Sequence, residues 1–87
     1  MLNTIDMNEK ISLDSIKAYN EMRAELYQWV RKFLNEKVGK EIPGSDIDYW
    51  RVNEEEVYVE YYDEDEDTDH SIFVSTEEFL EFINKSK

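Results

Sequence analysis

The chain contains no cysteine. Disulfide stapling, thiolate catalysis and cysteine-ligated zinc or iron–sulfur centres are therefore excluded. Histidine occurs once, so a nucleophilic triad would have to draw its imidazole from His70 alone. Glycine occurs twice and no glycine-rich phosphate loop is present. No apolar run approaches the roughly 20 residues that cross a bilayer. The first ten residues hold neither a basic cluster nor a long apolar stretch, so no secretory signal is expected. The protein reads as soluble and cytoplasmic. Among 22 Asp and Glu some pair falls at any chosen separation, so carboxylate spacing gives no signal for acid–base catalysis. The expectation is a non-enzymatic protein with no cofactor.

Basic residues are scarce as well: ten Lys and Arg give a net charge of −12 over 87 residues. The deficit is local. Residues 1–43 carry seven acids and seven bases, whereas residues 44–87 carry fifteen acids and three bases. The whole excess sits in the second half, where it repels phosphates and anionic membrane and attracts basic protein surfaces. Aromatic residues, by contrast, are plentiful: four Phe, six Tyr and two Trp. Each buried ring removes roughly 150–250 Å² from water. That lets a short chain fold despite its charge, and a single domain over residues 1–87 is expected.

Residues 1–10 are weakly patterned and read as a flexible arm. Ser12 is a good N-cap with Asp14 in the first turn. Ile16, Tyr19, Met22, Leu26, Trp29, Val30, Phe33, Leu34 and Val38 follow at steps that predict a helix over residues 13–38. Gly39 suits the C′ position. Such a helix spans about 39 Å, long for this domain, so a break or a protruding end is expected. Its stripe is wider than a coiled-coil seam, which favours core over a dimer seam. The only proline, Pro43, and the second glycine punctuate residues 41–45. The period then changes to 2. Strands are expected over 47–52, 57–62 and 71–74, separated by a turn at 53–56 and an acidic loop at 63–70. Ser75 and Glu78 match a capping box opening a last helix, with Phe79, Leu80, Phe82 and Ile83 inward. The fold class is α+β: a long N-terminal helix, a three-stranded antiparallel β-meander and a short C-terminal helix (α-β-β-β-α), both helices on one sheet face.

The acidic loop invites a calcium frame, with Asp65, Asp67, Asp69, Ser71 and Ile72 at EF-hand-like positions. His70 stands where glycine is required and Thr76 where glutamate is, and a strand precedes the loop instead of a helix. No metal site is expected, and His70 reads as a surface residue beside acids. Tyr49, Trp50, Tyr58, Tyr61 and Tyr62 cluster on two adjacent strands. Val57, Val59 and Tyr61 point to the core, which leaves Tyr58 and Tyr62 on the opposite face beside Glu60. Tyrosine is enriched at binding hot spots.

In size, charge and mixed α/β layout the chain resembles the small acidic proteins of phages and mobile elements. These include anti-CRISPR proteins and DNA-mimicking inhibitors of restriction or repair enzymes. The resemblance is a profile over the whole chain and rests on no shared motif, so no residue role is carried over. It implies carboxylates standing in for phosphates in a basic groove. Side chains two apart on a strand stand about 6.5–7 Å apart on one face. Glu54, Glu56, Glu60, Asp63, Asp65, Asp67 and Asp69 are expected to form such a ladder. With Tyr58 and Tyr62 they make up the expected partner-binding surface. The expected partner is a basic surface on a nucleic-acid-binding protein, with no direct binding to nucleic acid or membrane. The competing expectation is an adaptor or structural subunit that oligomerises, as a homodimer for instance, with charge serving only solubility.

Overall fold

The computed structural model describes residues 12–86; the expected arm at 1–10 lies outside them. Helix α1 spans Leu13–Val38 without a break. Ser12 caps it, its hydroxyl accepting from the Ser15 N–H at 3.2 Å. Gly39 ends it at φ 88°, a left-handed conformation that costs an L side chain roughly 1–2 kcal/mol. Asn35 then fixes the exit: its carbonyl accepts from the Gly39 N–H and its side chain from the Ile42 N–H. Gly44 opens a short 3₁₀ turn, Gly44–Asp46. A Cβ there would stand 2.8 Å from the Tyr27 hydroxyl, so a larger residue would have to displace the end of that side chain.

Strands β1 (Ile47–Val52), β2 (Glu56–Asp63) and β3 (Thr68–Ser75) form an antiparallel sheet in the order β1-β2-β3, and α2 spans Thr76–Ser86. The expected α-β-β-β-α order is the observed one. Both hairpins close through side chains that replace the usual glycine. Asn53 Oδ1 accepts from the Glu55 and Glu56 N–H groups at 2.8 and 2.9 Å. Asp63 Oδ1 accepts from the Asp65 and Glu66 N–H groups at 3.0 and 3.2 Å. These are Asx turns, a local bond that aspartate and asparagine offer a reversing backbone. Asp67 supplies the left-handed residue at φ 55°. The expected loop at 63–70 is thus a four-residue turn. β2 reaches Asp63 and β3 starts at Thr68, because Asp63 and Asp67 close the reversal.

Alternation divides the sheet into two faces. Val57, Val59 and Tyr61 are buried beneath Val30, Phe33 and Leu34 of α1 and Phe79 and Ile83 of α2. Both helices therefore cover one face. Phe33 is the joint, its ring 5.4 Å from Phe79 and 5.2 Å from Phe82. Ser75 caps α2 by accepting from the Glu78 N–H, and the Glu78 carboxylate pairs with Lys37 of α1. A bulge between Ile47 and Tyr49 lets Ile47 join the core while Tyr49 turns outward.

Two inward expectations fail. Leu80 is 52% exposed, because it lies about 100° around α2 from Phe79. Ile16, Tyr19 and Met22 are also exposed. The longest strands have 8 residues, about 26 Å, and a 39 Å helix overruns them. The first turns of α1 protrude, and the molecule measures 53 Å along its longest axis.

Candidate interaction surface

Among the described residues the other face of the sheet carries no helix. Its rows follow from the register: Arg51, Tyr58 and Phe73 lie side by side across the three strands, and Tyr49, Glu60 and Ser71 form the next row. The rings form one cluster. Tyr58 stacks 4.5 Å from Phe73 and stands 6.0 Å from Tyr49. Arg51 lies 5.3 Å over the Tyr58 ring and pairs with Glu56 at 2.9 Å. The Tyr58 hydroxyl donates to Glu60, and this bond raises its pKa above the ordinary tyrosine value. Phe73 and Tyr49 remain 62% and 47% exposed. Cross-strand aromatic pairs contribute roughly 0.2–1 kcal/mol each to a sheet. That accounts for the stacking but not for leaving a phenylalanine ring in water.

Parity splits the expected aromatic cluster: Tyr49, Tyr58 and Tyr62 face outward, Trp50 and Tyr61 inward. Phe73 is the residue that sequence reading missed. Its signal was available, since it stands between Ile72 and Val74, which face the core.

The expected acidic ladder is not continuous. Glu56 and Glu60 lie on the open face, and Asp69 stands on it opposite Tyr62. Glu54 sits in the β1–β2 turn at one end of the sheet, and Asp65 and Asp67 in the β2–β3 turn at the other. Asp63 leaves the ladder altogether. It shares the inward parity of Val57, is 3% exposed, and accepts from Lys40 Nζ at 2.7 Å. Lys40 also pairs with Asp65 at 2.9 Å. The Lys40 hydrogen bond holds the Asp63 carboxyl below its ordinary pKa, and the two carboxylates raise that of Lys40. Asp63 is thus a structural residue.

Charge is concentrated at the β2–β3 end. Residues 60–69 hold seven acids and no Lys or Arg. The Tyr62 hydroxyl donates to Asp67, which raises the tyrosine pKa. A hydrogen bond to Asp46 raises the Glu64 pKa, as crowded carboxylates require. The residues of the calcium frame from Asp69 onward are extended in β3 and do not loop around one point. Donor atoms of Asp63, Glu66 and His70 do lie within 4.8 Å of one another. Asp63 Oδ1 already accepts three hydrogen bonds, however, and the Lys40 ammonium supplies the positive charge at this spot. His70 is instead bonded to Glu66 at 2.8 Å.

Comparison of the chain with protein-family models, curated proteins and solved structures found no match. Among the described residues no helix is long and apolar enough to cross a membrane.

Proposed function

We propose that this chain is a non-enzymatic binding protein whose helix-free sheet face docks on a basic protein surface and blocks a nucleic-acid-binding groove there. One observation carries the reading: an aromatic cluster with Tyr49 and Phe73 exposed and Tyr58 half-buried between them lies beside the outward carboxylates Glu56, Glu60 and Asp69. Rings supply short-range contact area, and the acidic β2–β3 end supplies a long-range field that steers a positive partner. The exposed carboxylates are interrupted by rings and partly paired, so the mimicry is of charge sign and not of regular phosphate spacing.

The test is capture of partners on the immobilised protein, followed by binding kinetics on the purified partner. The captured protein is expected to be basic, to be displaced by nucleic acid, and to be released as salt rises. Tyr49→Ala with Phe73→Ala should speed dissociation at least tenfold. Neutralising Glu64, Asp65, Glu66 and Asp67 should mainly slow association and flatten its salt dependence. A partner indifferent to both sets of changes, or one that binds equally well at high salt, would remove the proposal.

A further inference from the structure

The overhanging end of α1 has no function in the proposal above. Leu13, Ile16, Tyr19 and Met22 are 67, 48, 63 and 64% exposed, and all four lie in its first ten residues. Ile16, Tyr19 and Met22 lie with Leu26 within about 120° of one another, on the side of the helix that carries the buried Val30, Phe33 and Leu34, while Leu13 is turned farther round. The stripe runs into a corner of the body. On one side a groove of about 300 Å³ lies between it and Tyr49, Trp50 and Val52. On the other, a groove of about 280 Å³ reaches Leu80 of α2. An apolar patch of this extent on a charged protein marks a contact surface.

We infer that the occupant is a second copy of this chain, packed antiparallel along the overhang about a two-fold axis near Tyr19. The axis follows from the stripe itself, because Tyr19 lies midway between Ile16 and Met22. It sets Ile16 of one copy against Met22 of the other, on either side of the two Tyr19 rings. Such an isologous contact uses the same patch twice and closes at two copies.

Charge decides between the orientations. Residues 13–26 are near balance, with Asp14, Glu21 and Glu25 against Lys17 and Arg23, so the stripe itself does not repel its copy. The sheet, by contrast, lies in the half that carries the whole excess of −12. Parallel helices would set the two acidic bodies side by side. Antiparallel helices place the two Val30 positions on the order of 30 Å apart, about three or four Debye lengths at physiological salt. Antiparallel packing also opposes the two helix dipoles favourably. The stripe and Leu80 on both copies bury on the order of 1,000 Å² in total, the lower bound for a specific interface, so the dimer is weak and concentration-dependent. The open sheet faces stay uncovered, giving one bivalent particle.

Sedimentation equilibrium from about 1 to 300 µM, at low and high salt, tests this. The mass should approach that of two chains at the upper end, and high salt should not dissociate the pair. That is the reverse of the salt response expected for a basic partner, so the two readings fail separately. Ile16→Asp and Met22→Asp change exposed positions and should give a monomer with unaltered far-UV spectrum. Phe73→Ala, on the open sheet face and in neither groove, should leave the dimer intact. Because the chain has no cysteine, Tyr19→Cys gives a single thiol, which should oxidise to a covalent dimer faster than a Phe73→Cys control. A full-length chain monomeric at about 300 µM overturns the inference. So does a dimer indifferent to Ile16→Asp and Met22→Asp, or one abolished by the sheet-face variant. If the full-length chain is monomeric and deleting residues 1–11 makes it dimerise, the stripe is covered within its own chain and the inference is equally overturned.

Discussion

Asp63 has two jobs in one carboxylate. It closes the β2–β3 turn by accepting two backbone N–H groups, and it fixes Lys40 at the end of α1. The two jobs separate by substitution. Asp63→Asn keeps an oxygen for the turn and loses the charge; Asp63→Ala loses both. The expected order of melting temperature is wild type, then Asn, then Ala, read by calorimetry at neutral pH. Equal losses in the two variants would mean that the turn bonds contribute nothing. Phe73 shows the opposite logic, a large ring that the core does not use. The two residues are the ones whose roles the sequence reading missed. Asp63 stood in a run of acids with nothing to mark it, and Phe73 stood in a strand whose orientation depended on its neighbours.

Among the elements, α1 is the informative one. One periodic stripe serves two environments, because the sheet beneath it is shorter than the helix. Its energetics should therefore be graded along its length. Phe79→Ala, deleting a fully buried ring that contacts Phe33, is expected to cost about 3–5 kcal/mol. Leu26→Ala, half-buried at the corner, should cost about 1–2 kcal/mol, and Ile16→Ala under about 0.5 kcal/mol. Urea unfolding at about 1 µM, where chains are separate, measures all three. A cost for Ile16→Ala comparable to that for Phe79→Ala would show that the overhang is covered in the monomer.

The molecule as a whole is held together against its own charge. Two carboxyls set the acid response in opposite directions. The Glu64 pKa is raised above its ordinary 4.5, so ionisation at neutral pH opposes folding, and that penalty disappears as pH falls through its folded value. The Asp63 pKa is lowered below its ordinary 3.8, so its contribution is complete above that value and is lost as pH falls through the lower, folded one. General repulsion from a net −12 relaxes over the same acid range. The melting temperature should rise as pH falls from about 6 to about 4.5 and fall below about pH 3.5. A steady decline from about pH 6 to about pH 4.5 would show that repulsion does not limit stability.

The order of elements, both helix caps and the buried apolar residues of β2, Val57, Val59 and Tyr61, were legible in the residues alone. Each is a local matter: a side chain bonding its own backbone, a glycine at positive φ, or a period of 3.6 or 2 with one apolar face. The acidic loop read as residues 63–70 where the turn holds only 64–67, and the stripe of α1 read as core along its length, with a break or a protruding end left open. Both readings failed for one reason. Whether a patterned residue is buried depends on what lies across from it, and that is set by the relative lengths and placement of distant elements. Lys40 reaching Asp63, the sheet ending short of Met22, and the register that stacks Phe73 on Tyr58 all join residues far apart in the chain. Local patterning carries no record of such distances, so the open aromatic face and the bare helix end emerged only once the chain had packed.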